Sequence, residues 1–342
     1  VLLDFQFLLM DLLDQRNHTI NFKKKFFGRC LMIKAKSLRK GDCIGIISPS
    51  YWTSKKTLLK TMSFFERQGY TLKIGNSNSL RWGPFAGKPE QRAEDINSMF
   101  KDPDIKAIIC ARGGYGANRV LDLLDYKLIK KNPKIFIGFS DITAYLTSIT
   151  QKTGLVTFHG PMLVSFKERL TKYNLANMLK VLSRDEKIKI RYPNKLKPKI
   201  LRSGNAKGKL WGGNMTLLIN RFGTNDYLNT DNAILFLEDI DEYLYAFERM
   251  LVQMRNAGMF DKVKGLIFGE LKEMKDQEIP FERDTDQIIM DICGDLEIPI
   301  ITNFPCGHGI YQATIPLSIN AELNVTDLDS IYLKLLEPAV ET

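Results

Sequence analysis

Ser140 follows a strand-like apolar run and stands where a helix can begin. The run is Ile135–Gly138, and Phe139 separates its glycine from the serine. A sharp strand-to-helix turn exposes a side chain at the carboxyl edge of a sheet, beside free N–H groups of the helix. A nucleophilic serine needs an accessible hydroxyl and N–H donors for the oxyanion that develops. The stretch departs from G-x-S-x-G because Ile142 replaces the second glycine, and serine is also a common N-cap residue.

A glutamate and a histidine, both much later in the chain, could complete a catalytic triad with this serine. Glu238 follows the apolar run 233–237, and open α/β sheets place their sites at the carboxyl ends of strands. Of the three histidines, His18 lies in the N-terminal segment, which leaves His159 and His308 as candidate bases. His308 stands between two glycines, so its ring has little to pack against. The chain order serine, glutamate, histidine is that of α/β-hydrolases, although order alone is weak evidence.

Seven short sequence blocks occur in a fixed order between residues 36 and 335. They are residues 41–50, 111–116, 138–143, 157–162, 208–214, 235–239 with 248–250, and 307–309 with 315–317. Any one block is a weak signal, whereas all seven in order are specific. Through these blocks the sequence resembles the LD-carboxypeptidases, the serine peptidases that include muramoyltetrapeptide carboxypeptidase and the microcin C immunity peptidases.

The resemblance implies a catalytic triad of Ser140, Glu238 and His308. In such a triad the histidine takes the serine proton during attack on an amide carbonyl, and then gives it to the leaving amine. The carboxylate orients the imidazole and stabilises its charged form. Cys306 lies two residues from His308. Ser140 has the better context for a nucleophile, so Cys306 is interpreted as a loop residue.

The glycine-rich stretch 112–116 could supply part of an oxyanion hole. The N–H of Asp141, directly after the serine, is the natural first donor, and a second could come from Gly113 or Gly114. The glycines could also serve a tight strand-to-helix turn, and both interpretations can hold together. A nucleotide-binding loop is disfavoured, because Arg119 stands where a third glycine belongs and no Gly-Lys-Ser/Thr follows. No cofactor is predicted.

Four further residues are candidates for substrate contacts. Arg112 could bind the terminal carboxylate that an exopeptidase must recognise, or could be a solvated arginine. Tyr115 lies in the same glycine-rich stretch. His159 could line the site, although a packed histidine is the commoner case. Trp211 could form a substrate wall or a buried aromatic before a glycine turn.

Composition bounds the compartment and the partners. The chain has 342 residues, 44% of them hydrophobic, which leaves room for two domains and a sizeable core. Its five cysteines form no C-x-x-C pair and no cluster with zinc spacing. This pattern argues against a disulfide framework and a structural metal. We therefore expect a cytoplasmic protein that binds no metal.

The net charge of +10 is concentrated in one stretch of the chain. Residues 166–209 contain 14 Lys and Arg against 3 Asp and Glu. This stretch is interpreted as a basic inter-domain linker, residues 166–207, partly helical at first and extended near its prolines. It could attract an anionic peptide or cell-wall fragment. Without a zinc finger, helix-turn-helix or RNA-recognition signature, no nucleic-acid partner is predicted.

Residues 1–31 need a separate interpretation. The first ten are largely apolar, but acidic residues interrupt the segment, no basic stretch precedes it and no small-residue cleavage site follows. The segment is a poor signal peptide and too short and acidic for a membrane span. The family blocks begin only after Met32. We therefore predict that residues 1–31 are an extension that is not native, with an amphipathic anchoring helix as the alternative.

The rest of the chain is predicted to form two α/β units. Residues 36–165 alternate apolar runs with helical patterns, which is typical of a parallel, flavodoxin-like sheet. Residues 208–336 form the second unit, which carries Glu238 and His308. The predicted strands are residues 43–47, 107–111, 135–138, 233–237, 265–269 and 331–336, and the helices 57–68, 119–124, 142–150 and 242–257. The resemblance implies a smaller, β-rich second domain and a homodimer, with the triad assembled across the cleft between domains.

The resemblance implies a serine carboxypeptidase that releases the terminal D-alanine from a murein tetrapeptide, as in peptidoglycan recycling. An alternative is a peptidase that detoxifies peptidyl-nucleotide antibiotics, which should offer aromatic stacking surface between His159 and Trp211. That stretch carries Phe166, Tyr173 and Tyr192 among many lysines, which does not decide between the two. A non-catalytic binding protein of the same fold has no need of an intact triad.

Overall fold

The computed structural model describes residues 32–168 and 171–342, without side chains for residues 167 and 168. The predictions about residues 1–31 lie outside the described residues and stay predictions. Within the described ranges, no helix is both long and apolar enough to cross a membrane.

The first sheet has six strands within the described residues. Five of them run parallel to one another: β1 (Cys43–Ile47), β2 (Thr71–Ile74), β3 (Ile105–Cys110), β4 (Ile135–Gly138) and β5 (Phe158–His159). The sixth, β12 (Ile315–Pro316), comes from the C-terminal part of the chain and pairs antiparallel with β5. The order is β12-β5-β4-β3-β1-β2. The apolar, β-branched runs of β3 and β4 suit strands that are buried on both faces.

Helices alternate with these strands, so the predicted parallel α/β sheet is confirmed. They are α1 (Lys55–Arg67), α2 (Pro89–Lys101), α3 (Tyr126–Lys131), α4 (Thr143–Thr153) and α5 (Ser165–Glu168). The helix predicted over 119–124 is wrong, because the chain forms two 3₁₀ turns there, Ala117–Arg119 and Leu121–Leu123. Leu124 is extended, and the Asp125 side chain accepts a hydrogen bond from Leu128 N–H. That cap begins α3 instead of prolonging the preceding turn.

The second sheet is mixed, with eight strands in the described part of the chain. They are β6 (Lys189–Ile190), β7 (Lys199–Arg202), β8 (Gly204–Asn214), β9 (Ala233–Glu238), β10 (Gly265–Gly269), β11 (Ile300–Phe304), β13 (Asn320–Val325) and β14 (Tyr332–Leu335). Their order is β6-β14-β13-β8-β9-β10-β11-β7, and β8 to β11 run parallel. Four helices belong to this part: α6 (Lys172–Ser183), α7 (Met215–Ile219), α8 (Leu244–Asn256) and α9 (Thr285–Cys293). The predicted α/β arrangement with a second sheet in the C-terminal part is confirmed, whereas its smaller size as a domain stays a prediction.

The two sheets are joined at several places besides the basic segment. Residues 166–207 hold α6, β6 and β7 and lead into β8. Strand β12 returns to the first sheet, where Ile315 pairs with His159. At the start of α4, Thr143 Oγ1 accepts a hydrogen bond of 3.1 Å from the N–H of Asn214 in β8. The predicted domain boundaries at 165 and 208 stay a prediction.

Strand β9 lies between two hydrophobic cores. Ile234 and Phe236 belong to the large core that also contains the first sheet. Leu235 and Leu237 belong to the second core, which α8 covers with residues such as Phe247. Successive side chains of a strand point to opposite faces, so a continuous apolar run is needed where both faces are buried. Burial on both faces fixes the register of β9, and with it the position of Glu238 at its end.

We expect Gly212→Ala to destabilise the fold severely. Gly212 has φ +144° and pairs with Phe236 across β8 and β9. A Cβ at this glycine would lie 1.8 Å from the Phe236 carbonyl oxygen. The backbone strain and the collision together predict a loss of more than about 4 kcal/mol in the free energy of unfolding.

Gly223→Ala is the matched control, because Gly223 also has a positive φ, +75°, but a Cβ added there would have nothing within 4 Å. It should lose only the strain contribution, about 1–2 kcal/mol. Urea unfolding of both variants measures the difference. Equal losses would mean that the close approach of β8 to β9 is not what requires Gly212.

Candidate active site

Ser140 lies in a strained turn between β4 and α4. Its φ is +62°, in the left-handed region that non-glycine residues rarely adopt, and residues Ser140–Ile142 form a 3₁₀ turn. The N-cap of α4 is Ile142, so Ser140 is not the capping residue. Gly138 is required because a Cβ there would lie 2.8 Å from Ile142 Cγ2. Strain of this kind costs about 1–3 kcal/mol and is typical of functional turns.

Glu238 and His308 form a buried hydrogen-bonded pair. His308 Nδ1 lies 2.6 Å from Glu238 Oε2, with the glutamate side chain fully buried and the histidine 14% exposed. Burial alone would raise the pKa of Glu238, but the interaction with His308, together with smaller contributions from His159 and Asn214, lowers it below its usual value. Gly307 (φ +86°) is required because a Cβ there would lie 2.4 Å from Glu238 Oε2. The two residues predicted as acid and base are therefore in direct contact.

The turn that holds Ser140 packs against this pair. The ring of Phe139, the residue before the serine, meets the His308 ring edge-on with centroids 4.9 Å apart. On its other side the turn contacts β8, whose Asn214 pairs in register with Glu238. Asn214 N–H in turn donates to Thr143 Oγ1 at the start of α4. The turn thus lies against the His308 ring and is hydrogen-bonded, through Thr143, to the strand end that pairs with Glu238.

The glycine-rich stretch lies directly against the serine. A Cβ on Gly113 would lie 3.2 Å from Ser140 Oγ and 3.4 Å from the backbone nitrogen of Asp141. Gly114 (φ +114°) has the Tyr51 ring where its Cβ would be, at 2.4 Å. Both glycines therefore serve close approach of the backbone. The structure brings the Gly113 backbone close to Ser140 and Asp141, and the assignment of the oxyanion donors stays a prediction.

The predicted substrate-binding residues occupy different environments. Arg112 is half-buried, with its guanidinium 5.7 Å from the centroid of the Tyr51 ring and Nη1 donating to Trp52 O at 3.4 Å. Tyr115 is 56% exposed. Trp211 lies in β8, where it is partly buried against both hydrophobic cores. Tyr115 is therefore the most accessible of these candidates, and Trp211 has at least part of the packing role that was its alternative.

His159 lies behind Phe139. It is only 1% exposed, and its ring packs edge-on against Phe139 (6.1 Å) and Phe236 (5.1 Å). Burial lowers the pKa of His159 to about 4, so the imidazole is neutral at pH 7. Neither ring nitrogen has a hydrogen-bond partner among the described residues. The structure places this histidine beneath the surface of the site, as a packed residue.

Two carboxylates near the pair are not among the residues predicted from the sequence to carry the site. Asp239 accepts hydrogen bonds from Asn214 Nδ2 and from Thr216, and burial together with the charge of Glu238 raises its pKa to about 6. Glu270 follows β10, pairs with Lys272 at 2.8 Å, and occupies the space where Gly309 would carry a Cβ. Glu270 could have been predicted from the sequence, because it follows an apolar, strand-like run as Glu238 does.

Other chemistries find less support in the same region. Burial raises the pKa of the Cys306 thiol well above its usual range, so a nucleophilic thiolate is disfavoured. Within residues 32–168 and 171–342, no group of three His, Cys, Asp or Glu side chains is placed to hold a metal ion. The arrangement suits acyl transfer by a serine, with a base oriented by a buried carboxylate.

Known families match both halves of the chain. Residues 44–160 match the LD-carboxypeptidase N-terminal domain, and residues 207–323 match the LD-carboxypeptidase C-terminal domain. The probable murein peptide carboxypeptidase of Bacillus subtilis is 33% identical over 311 residues, 88% of this chain and 94% of that protein. The microcin C7 self-immunity protein MccF of Escherichia coli is 31% identical over 344 residues, 90% of this chain and 97% of that protein.

Solved structures show the same relationship. Microcin C7 self-immunity protein MccF in its wild-type apo state has a TM-score of 0.84 at 28% identity, over 90% of this chain and 100% of that one. The muramoyltetrapeptide carboxypeptidase of Oxalobacter formigenes has a TM-score of 0.76 at 29% identity, over 86% of this chain and 98% of that one.

The buried, neutral His159 predicts a specific loss of stability in acid. Its pKa is about 4 in the folded chain and about 6.5 when unfolded, so the unfolded state binds the extra proton first. The contribution of the neutral imidazole is complete above pH 6.5 and is lost as the pH falls towards 4, by up to about 3 kcal/mol. His159→Gln should remove this part of the pH dependence.

The measurement is urea unfolding of the parent and of His159→Gln at steps from pH 7.5 to pH 4.5. The difference between the two stability curves isolates this histidine from the carboxylates that also titrate in acid. Parallel curves would show that His159 does not carry this pH dependence.

Proposed function

Because the chain belongs to the LD-carboxypeptidase family, we propose that it is a serine carboxypeptidase of murein tetrapeptides. It hydrolyses the amide between the L-centre of the dibasic third residue and the terminal D-alanine, as peptidoglycan recycling requires. The observation that carries this proposal is the 2.6 Å contact between His308 Nδ1 and Glu238 Oε2, with His308 packed against the residue that precedes Ser140.

Each member of the proposed triad has a defined task. Nδ1 of His308 faces Glu238, which leaves Nε2 to take the proton from Ser140 Oγ as this oxygen attacks the carbonyl carbon. The tetrahedral intermediate then collapses, the C–N bond breaks and the histidine gives its proton to the departing D-alanine nitrogen. Water attacks the resulting ester by the same route in reverse, which releases the tripeptide and restores the serine.

The buried carboxylate makes the histidine a better base. The lowered pKa of Glu238 keeps it ionised at neutral pH, where it stabilises the imidazolium that forms during attack. We assign the N–H of Asp141 as the first oxyanion donor, with Gly113 or Gly114 as the second. The proximity of the Gly113 backbone to Ser140 supports this assignment.

We assign Arg112 to the carboxylate of the terminal D-alanine. No carboxylate of the described residues lies within ion-pair distance of its guanidinium, so its charge is available to a ligand. It opens the glycine-rich stretch, separated from the end of β3 only by Ala111. Tyr115 and Trp211 are proposed as further contacts of the peptide, and their exposed parts support the assignment.

A peptidyl-nucleotide substrate is the second candidate, favoured by the resemblance to MccF. The three aromatic residues between His159 and Trp211 that could stack on a base all make contacts within the chain. Phe166 packs on Phe64 and Phe65, with ring centroids 5.5 and 5.0 Å away. The hydroxyls of Tyr173 and Tyr192 donate to backbone carbonyls. This arrangement supports the murein peptide as the first choice.

We also propose that the enzyme works in the cytoplasm as a homodimer. Five cysteines without a disulfide framework support the reducing compartment. The dimer rests on the family resemblance alone. Light scattering coupled to gel filtration tests it directly, and a mass near 39.2 kDa, that of one chain, would contradict it.

The protein should release one alanine from an L-Ala–D-Glu–dibasic–D-Ala tetrapeptide, and Ser140→Ala should not. Mass spectrometry of the reaction mixture measures the loss, and a peptidyl sulfamoyl adenosine is assayed in parallel. Cleavage of only the adenosine conjugate would favour the second candidate. Cleavage of neither by well-folded protein would favour a binding protein, and cleavage of the tetrapeptide by Ser140→Ala would exclude this serine as nucleophile.

Glu238→Gln should lower kcat on the tetrapeptide by roughly 10³–10⁴-fold with little change in KM, because the amide no longer stabilises the imidazolium. Asp239→Asn is the matched control, since Asp239 is the neighbouring buried carboxylate and its bonds are to Asn214 and Thr216. We expect that control to lose stability and to keep most of its kcat. An equal fall in kcat in both variants would mean that the loss does not arise from the contact between Glu238 and His308.

A further inference from the structure

Three fully buried polar side chains near Ser140 have no part in the triad. They are Ser50, Arg92 and the carboxylate of Asp141, each at most 1% exposed. A buried charge is costly unless it is hydrogen-bonded, so each requires a structural or functional reason. Arg92 and Asp141 make hydrogen bonds that end on, or next to, the glycine-rich stretch 112–116, and Ser50 donates to the Asp141 carboxylate.

The Asp141 carboxylate ties together two distant segments. Its Oδ2 accepts one hydrogen bond from Ser50 Oγ and another, of 2.9 Å, from the N–H of Ala117. Burial raises the pKa of this carboxyl, and the hydrogen bonds from Ser50 and Ala117 oppose that rise. Asp141 therefore has two roles. Its backbone N–H is the proposed oxyanion donor, and its side chain is hydrogen-bonded to the end of the glycine stretch.

One peptide group of the glycine stretch is held at both ends. The C=O of Gly116 accepts a hydrogen bond of 3.1 Å from Arg92 Nη1. The N–H of the same peptide group belongs to Ala117 and donates to Asp141. A peptide group is planar and rigid, so two bonds on opposite sides fix its orientation. Gly116 itself has φ +119°, in the left-handed region that favours glycine.

The other end of the stretch is held through the segment that contains Ser50. The Pro49 carbonyl accepts hydrogen bonds of 2.8 Å from both Arg92 Nη1 and Tyr145 Oη. Two residues on, Tyr51 N–H donates to the Gly113 carbonyl at 3.3 Å. Gly113 is the glycine that lies against Ser140. The stretch is therefore fixed both at Gly113 and at Gly116.

We propose that the side chains of Asp141, Ser50 and Arg92 form a positioning element that sets where the glycine stretch lies relative to Ser140. We call these three side chains the loop brace. The brace acts on the reaction through the backbone, because it fixes the distance between the N–H of Asp141 and the N–H groups of the stretch. The inference rests on the proposed role of Ser140 as nucleophile, and it is independent of which peptide the enzyme cleaves.

The distance matters because oxyanion donors act over a narrow range. They must lie about 3 Å from the oxygen of the intermediate, and a displacement of about 1 Å can cost 10²-fold in rate. The Asp141 carboxylate is well suited to hold that distance, since it belongs to the residue that supplies the first donor. Its loss should leave ground-state binding of the peptide largely intact and slow the chemical step.

The test is the rate at which Ser140 reacts with a small fluorophosphonate. Ser140 Oγ attacks phosphorus, the P–O bond forms, fluoride leaves and the serine proton passes to His308. The product is counted by intact-mass spectrometry, with Ser140→Ala as the blank. This probe needs the nucleophile and the oxyanion donors but no peptide recognition, so it separates the loop brace from the choice of substrate.

We expect Asp141→Ala to label about 100-fold more slowly than the parent, and Ser50→Ala about 10-fold more slowly. Asp141→Asn should retain most of the rate, because one amide oxygen can accept both hydrogen bonds that now converge on Oδ2. On the tetrapeptide, Asp141→Ala and Ser50→Ala should lose kcat with little change in KM, and Asp141→Asn should keep most of its kcat. If Asp141→Ala does not fold, Ser50→Ala and Asp141→Asn carry the test.

Asp226→Asn is the matched control. Asp226 is also a buried carboxylate that accepts from a serine, Ser148 at 2.8 Å, and it pairs with Lys152 and Arg221. This variant should lose thermal stability and label at the parental rate. Comparison at equal distance below each Tm removes the general effect of a weakened fold.

The outcomes separate cleanly. Parental labelling rates in Asp141→Ala and Ser50→Ala would overturn the loop brace, and so would an equal slowing in Asp226→Asn. A labelled parent that does not cleave the tetrapeptide would refute the proposed substrate and leave the brace standing. A parent that is not labelled at Ser140 would refute the nucleophile and the brace together.

Discussion

The buried pair of Glu238 and His308 is the interaction that constrains the rest of the site. A carboxylate that is fully removed from water must be compensated, or it takes up a proton and loses its charge. Here the largest compensation comes from the His308 imidazole at 2.6 Å, with a smaller contribution from the Asn214 side chain. That requirement fixes the end of β9, forces glycine at position 307 and directs Nδ1 of the histidine inward. The outward Nε2, which the chemistry needs, is a consequence of this burial.

Glycines permit this degree of crowding. At Gly113, Gly213 and Gly307 a Cβ would lie about 3 Å or less from Ser140, Thr143 and Glu238 respectively. At each of these glycines the backbone packs directly against a residue of another segment, with no room for a side chain between them. The strained φ of Ser140 belongs to the same pattern, since a relaxed turn would not present its side chain to the glycine stretch. The strands next to the site contribute side chains to both hydrophobic cores, and the stability of these cores offsets the cost of the close contacts and of the local strain.

The two sheets act as one framework around the site. The turn that holds Ser140, the proposed nucleophile, follows a strand of the first sheet, and Glu238, the proposed acid, ends a strand of the second. Strand β12 leaves the loop of His308 and returns to pair with β5, beside the strand that leads to Ser140. The contact of Thr143 with Asn214 closes the other side. The proposed triad, drawn from three distant parts of the chain, therefore depends on connections between the two sheets.

The sequence by itself determined the parallel α/β pattern, the turn at Ser140 and the isolation of His308 between glycines, because these depend on local periodicity and on residue type. Neighbouring residues were not enough for 119–124, where apolar spacing suits a helix but the chain forms two 3₁₀ turns before the Asp125 cap begins α3. Only the tertiary structure decided that His159 is packed behind Phe139. Only the tertiary structure, too, brought the Asp141 side chain to Ser50 and Ala117, which are 91 and 24 residues away. Contacts of that separation arise from how whole strands and helices pack, and no local spacing in the sequence encodes them.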